Sequence, residues 1–256
     1  MFNIDEYLDS LPDDVENINV SYKNLDYLPD LSRFKKLKVL YCNCNKLTSL
    51  PILPEKLEIF DCYFNNLTSL PVLPENLQIL ICFNNELTSL PVLPENLQIL
   101  NCFNNELTSL PVLPENLKEL NCSFNKLTSL PVLPKNLMEL ACLNNKLTSL
   151  PVLPENLKEL YCSDNNLMSL PVLPENLKEL CFLKNPICYI IWDNGGLNIT
   201  KKKIIIWNNF RHLYYCLKHR KIFLKMMEPI MKKRYHPSYL DDLKEEDDLD
   251  EKLNEW

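Results

Sequence analysis

A 20-residue period governs this chain. From Leu50 to Leu180 the string L-P-x-L-P-E-N-L-x-x-L-x-C-x-x-N-x-L-T-S recurs every 20 residues, with few substitutions and no insertion. One such unit cannot bury its apolar side alone, so the units must stack into a solenoid with a continuous core. Aligned on L-x-x-L-x-C-x-x-N-x-L, eight signatures start at Leu37, Leu57, Leu77, Leu97, Leu117, Leu137, Leu157 and Leu177. A degenerate ninth, V-E-N-I-N-V-S-Y-K-N-L, starts at Val15, 22 residues before the next, and follows Leu11-Pro12. Blocks 71–90 and 91–110 differ only at Ile81 against Asn101, the mark of tandem duplication.

Within a unit, the fourth and sixth signature positions, such as Leu100 and Cys102, alternate with variable residues. That alternation is the period-2 mark of a strand. Prolines such as Pro51 and Pro54 fall between the strands, where an extended, polyproline-like return segment loses no sheet hydrogen bond. Nine strands stacked at about 4.8 Å predict a parallel sheet roughly 40 Å long. The chain has 19 prolines but only 2 glycines, the pair Gly195–Gly196. Phosphate-cradling loops and dinucleotide fingerprints, which need clustered glycines, are thereby excluded.

These residues resemble leucine-rich repeats, in the short 20-residue form with L-P-x-L-P-x-x-L found in bacterial secreted effector proteins. The resemblance covers about 11–187. It implies an α/β solenoid, an arc with a parallel β-sheet on the concave face and an irregular, polyproline-like convex side. An open solenoid end exposes core residues, so a helical cap is expected at the C-terminus. The expected organisation is an N-terminal cap at 1–10, nine repeats at 11–187, a C-terminal helical cap region at 188–240 and an acidic tail at 241–256.

Two inward columns have structural readings. The asparagine column runs from Asn45 to Asn185 at every 20th residue, and no member differs from its neighbours as a catalytic residue would. Each amide is expected to satisfy turn backbone groups that would otherwise be buried unpaired. The cysteine column runs from Cys42 to Cys162 and ends in Phe182. One thiol per strand supplies no tetrahedral metal set, and buried cysteine packs as a small hydrophobe. Neither metal nor cofactor is expected. Cys162-Ser163-Asp164 matches a C-x-D nucleophile arrangement of effector ligase domains, but its cysteine lies in the buried column.

The outward columns carry the functional signal. Signature positions 3, 5 and 7 must face solvent on the sheet. Repeats two to five place Val39, Tyr41, Ile59, Tyr63, Ile79, Ile81, Phe83, Ile99 and Phe103 there. Repeats six to nine place Glu119, Glu139, Glu159 and Glu179 at position 3, with Lys118, Lys158 and Lys178 beside them as partial counter-charges. Drift on a solvated face favours polar residues, and a contiguous apolar patch marks an interaction site. The expected partner is a protein, such as one of a host, with apolar anchors toward repeats two to five and basic residues toward the glutamates.

After Ile187 the repeat is lost. The spacing of Ile206, Phe210, Leu213, Leu217 and Leu224 predicts a helix over about 201–227, ended by Glu228-Pro229. Charge is segregated: residues 201–234 hold 11 Lys/Arg against one Glu, and residues 241–256 hold 9 acids against 2 lysines. A basic helix near Trp207, Tyr214 and Tyr215 fits nucleic acid in principle, yet an amphipathic cap with a solvated basic face fits it better. His212, Cys216 and His219 share a helical face but lack a fourth ligand. The closing residues resemble the ends of proteins of large amoeba-infecting DNA viruses, in Glu228-Pro229-Ile230, Tyr235-x-Pro237, the acidic run and Leu249-Asp250-x-x-Leu253-x-x-Trp256. That resemblance implies a viral protein of host cytoplasm or virion.

The acidic start, MFNIDEYLDSLPDD, lacks the basic and apolar regions of a signal peptide, and no apolar run reaches the roughly 18 residues of a membrane span. An intracellular chain with reduced thiols is therefore expected. The reading is a non-enzymatic protein-interaction module. Effector proteins with this repeat can carry a C-terminal ubiquitin ligase domain, but it is several times longer than the segment after Ile187, and Cys188 and Cys216 lack an adjacent Asp. Two further roles suit such a solenoid. One is an adaptor to host ubiquitination, for which no F-box-like helix precedes residue 11, and the other is a self-assembling virion protein.

Overall fold

The computed structural model describes residues 2–191 and 196–218. The chain divides into two compact units, Met1–Trp207 and Asn208–Trp256, with every repeat in the first. Nine three-residue strands form one parallel sheet in chain order. They are β1 (Asn17–Asn19), β2 (Val39–Tyr41), β3 (Ile59–Asp61), β4 (Ile79–Ile81), β5 (Ile99–Asn101), β6 (Glu119–Asn121), β7 (Glu139–Ala141), β8 (Glu159–Tyr161) and β9 (Glu179–Cys181). The register follows the repeat: Ile59 pairs Ile79, which pairs Ile99, and Phe60, Leu80 and Leu100 stack behind them. The parallel solenoid read from the sequence is the fold observed.

Each turn of the solenoid points the same side chains inward. In the fifth repeat Leu97, Leu100, Cys102 and Leu107 are fully or almost fully buried, joined by Leu113 of the return segment. The asparagines close the turns. The Asn105 amide donates to the carbonyls of Cys82 and Cys102 at 3.1 Å each and to Phe103 at 3.4 Å, and its Oδ1 accepts from the Leu87 N–H at 3.0 Å. One side chain thus ties two successive repeats through groups that water cannot reach. A second ladder explains the asparagine of P-E-N: Asn96 donates to the Glu75 carbonyl at 2.9 Å and Asn116 to that of Glu95 at 2.8 Å. The valine of P-V-L-P does no such work. Val72, Val92, Val112, Val132 and Val152 are all about 85% exposed, and nothing in the structure explains their constancy.

Position 8 of every signature adopts a left-handed backbone with no glycine. Phe64, Asn84, Asn104 and Phe124 have φ of 51, 52, 51 and 56°. Asparagine tolerates this region better than most residues, which accounts for its recurrence at 84, 104 and 144.

A helical segment lies at each end of the repeats. The short helix α1 (Ile4–Asp9) is capped by Asn3, whose side chain accepts from the Asp5 N–H at 3.1 Å, and it buries Ile4 and Leu8. At the other end lie α2 (Cys188–Ile191) and α3 (Gly196–Lys218). The start of α3 precedes the expected residue 201, and its expected end at Glu228-Pro229 lies outside the described residues. Its inward face also differs from the expectation. Ile204 is buried, Leu197 and Trp207 pack on the core, and Ile206, Phe210 and Leu213 are exposed. The reason is Lys201, which sits on the inward face while its ammonium donates to the carbonyls of Pro174 (2.8 Å) and Glu175 (3.1 Å). A lysine stem can lie along apolar surface, so hydrophobic spacing alone selects the wrong face. The His212, Cys216 and His219 grouping and the closing segment that resembles viral proteins fall wholly or partly outside the described residues.

Candidate functional site

The alternation of β-strand side chains places positions 3, 5 and 7 on the outer face of the sheet. Val39, Ile59, Ile79 and Ile99 are paired in register down the first row. All are half-buried, as are Tyr41, Tyr63, Ile81, Phe83 and Phe103. At position 7 the rings form a continuous row. Tyr63 and Phe83 stack with centroids 4.4 Å apart and planes 5° from parallel, and Phe83 meets Phe103 edge-on at 6.5 Å.

Two aromatic residues absent from the sequence-based set join this row. Phe64 lies 5.8 Å from Tyr63 and 5.9 Å from Phe83, and Phe124 lies 5.0 Å from Phe103. Both occupy position 8, where strict alternation assigns the opposite face. The left-handed backbone there turns the side chain back toward the row. The recurrent asparagine at this position was the available signal.

The isoleucine row and the aromatic row are separated by position 5, where Ile81 alternates with polar Asp61 and Asn101. These polar groups have a local role: the N–H two residues on donates to Asn101 (3.2 Å), Asn121 (3.1 Å) and Asp61 (3.4 Å). Asp61 is unlike the others, being a carboxylate only 8% exposed. Burial pushes its carboxyl up to about 6, against the opposing pull of the Tyr63 N–H. Asp61 is protonated in both folded and unfolded states well below pH 4, and its cost grows as the pH rises from about 4 to about 6 and is fully present above that. Asp61→Asn is therefore expected to stabilise the protein by about 1–3 kcal/mol at pH 8, discounted for the open face, and to change little at pH 4. Urea midpoints of the two proteins at both pH values check this; equal midpoints at pH 8 would contradict it.

Glu119, Glu139, Glu159 and Glu179 form one in-register row. The hydroxyl of Tyr161 lies between the last two, 2.9 Å from Glu159 Oε2 and 2.6 Å from Glu179 Oε2. Burial holds the Glu139 carboxyl above the usual range, helped by the charges of Glu159, Glu119 and Glu179. The flanking lysines do not pair with this row as expected. Lys118 donates to Gln98 at 2.9 Å, and none of the ion pairs among the described residues reaches a ladder glutamate. Position 2 precedes the strand and points away from position 3, so adjacency in sequence is not adjacency on the face.

The cysteine column offers no nucleophile. Cys42 to Cys162 are free and buried, and burial raises every thiol of the column, to about 12 at Cys102 and Cys162. Asp164 of the C-x-D sequence instead pairs with Lys184 at 3.0 Å. Among the described residues no group of His, Cys, Asp or Glu could hold a metal, and no helix is long and apolar enough to cross a membrane.

A parallel sheet built one strand per 20-residue turn, with an asparagine ladder closing each turn, defines a repeat scaffold. The Leucine Rich Repeat family model matches residues 116–140 and 156–180. The chain belongs to the leucine-rich repeat proteins, in their effector-like form. Similar structures are YopM from Yersinia enterocolitica (40% identity, TM-score 0.67, 69% of this chain and 39% of that one) and YopM, a leucine-rich effector protein, from Yersinia pestis (37%, 0.60, 69% and 56%). The functional domain of InlJ from Listeria monocytogenes, which includes a cysteine ladder, matches at 32% identity with a TM-score of 0.63, over 66% of this chain and 40% of that one. The match thus spans less than two thirds of each of these proteins. No curated protein sequence matches the chain.

Proposed function

We propose that the chain is a non-enzymatic protein-interaction module that binds its partner on the outer face of the sheet. The observation that carries this reading is the row of five rings, Tyr63, Phe64, Phe83, Phe103 and Phe124, left partly open to solvent beside the isoleucine row. Such a surface loses free energy in water and gains it under a partner's apolar side chains. The glutamate row extends the same face and favours basic residues on the partner, with the charges steering encounter more than adding affinity. Ten free cysteines among the described residues suit a reducing compartment.

The test is selection of a peptide display library on the immobilised full chain. Enriched peptides are expected to carry aromatic or aliphatic anchors and basic residues. Burying one such anchor is worth about 1.5–3 kcal/mol, so Phe83→Ser with Phe103→Ser should weaken binding by about 100-fold or more without unfolding the protein. Changing the four glutamates to Gln should mainly slow association and reduce its salt dependence. A double Phe variant with unchanged circular dichroism and melting that bound the same peptides equally well would refute the sheet face as the site.

A further inference from the structure

Beside the apolar rows, the first three repeats hold a polar depression of about 600 Å³. Its lining includes Asp61 and the tyrosines Tyr22, Tyr41 and Tyr63, with Ser21 and Asn43 between them. Ser21 and Asn43 already hydrogen-bond each other at 2.5 Å, and the hydroxyls of Tyr22 and Tyr63 lie 3.4 Å apart. Asp61 has no such partner. It is nine-tenths buried and flanked in register by Tyr41 and Ile81. Among the described residues, the one hydrogen bond to its carboxylate comes from the N–H of Tyr63 at a long 3.4 Å. Among the described residues no lysine or arginine pairs with it. The one lysine on the lining, Lys23, has its ammonium over the Phe2 ring, 5.2 Å from the centroid.

An anion desolvated without a counter-ion is costly and is retained where something completes it. Here it sits among three tyrosine side chains, whose ring faces attract cations. We propose that this depression receives an arginine side chain of the bound partner, its guanidinium paired with Asp61 and stacked against the tyrosines. Arginine suits the site better than lysine, because a planar fork can engage both carboxylate oxygens while its face lies on a ring. The proposal rests on the reading of the sheet face as a partner surface and deepens it. It assigns one basic contact to repeats one to three, apart from the glutamate row of repeats six to nine.

The test uses Nα-acetyl-arginine amide as probe on the full ¹⁵N-labelled chain at pH 7.5, followed by amide chemical shifts. Saturable shifts are expected at Asn19, Ser21, Tyr41, Asn43 and Tyr63, with millimolar affinity. Asp61→Asn, which keeps the bond from the Tyr63 N–H as Asn101 does in its own repeat, should weaken binding at least tenfold. The neutral isostere Nα-acetyl-citrulline amide should give no saturable shift. Equal binding of the citrulline probe, equal binding by Asp61→Asn, or shifts confined to the glutamate row would each overturn the proposal. The probe carries no apolar anchor, so its failure leaves the aromatic row standing as a docking site. Conversely, failure of the double Phe experiment leaves the arginine site to be judged by its own shifts.

Discussion

Cys102→Asp is expected to destabilise the fold severely at neutral pH, whereas Cys102→Val should leave the protein nearly as stable as it is. The site is fully buried, and its own thiol is already pushed up to about 12 by loss of water. A carboxyl group there meets the same penalty for ionising. Full burial raises a carboxyl by about 3–5 pH units, and each unit corresponds to about 1.4 kcal/mol. The ionisation cost is then about 4 kcal/mol at pH 7 and reaches about 4–7 kcal/mol only once the pH exceeds the raised folded-state value, against a typical total stability of about 5–15 kcal/mol. The ionisation part of this penalty vanishes below about pH 4, where the carboxyl is protonated in both states, and grows as the pH rises; the smaller cost of burying the neutral carboxyl remains. Valine preserves volume and apolarity, so its cost should stay under about 1.5 kcal/mol. Urea unfolding at pH 4 and pH 8 separates these outcomes. An aspartate variant as stable as wild type at pH 8 would show that the column is not the core.

Deletion of residues 188–256 should make the protein aggregate or melt at much lower temperature. Cys188, Ile191 and Ile204 belong to the buried core cluster, with Leu197 and Trp207 packed against it. Trp207 Nε1 also donates to the Met168 carbonyl at 3.1 Å, and Lys201 closes the Pro174 and Glu175 carbonyls of the last return segment. Losing the burial of Ile191 and Ile204 alone removes about 3–6 kcal/mol. Removal of 241–256 is the control. Nine of those residues are acidic, a composition that buries little, so melting should be unchanged. If the longer deletion left solubility and melting as they were, α2 and α3 would not be a cap.

The repeat register was legible because it is written many times over. Leucines at signature positions 1, 4 and 11, the cysteine at position 6 and the asparagine at position 9 all face the core in the structure, as the period of two and the constancy of the columns required. The asparagine ladder was legible for a physical reason: a buried amide has no stable alternative to bonding the turn backbone. The outward positions were legible by the same alternation, which placed Val39 through Phe103 and the four glutamates on one face.

What the sequence alone determined is therefore the periodic part of the molecule: the solenoid, the parallel register, the core columns and the set of residues on the open face. Tertiary structure decided what departs from that period. The left-handed backbone at position 8 brought Phe64 and Phe124 into the aromatic row against the alternation rule. Lys201 took an inward place on α3 because two carbonyls of the final return segment were there to receive its ammonium. The lysines beside the glutamate row proved not to form ion pairs with it, and Asp61 proved to be a largely buried carboxylate with no ion pair among the described residues. Each of these depends on which groups meet across repeats some 20 residues apart, and on whether water reaches them. A one-dimensional pattern records neither.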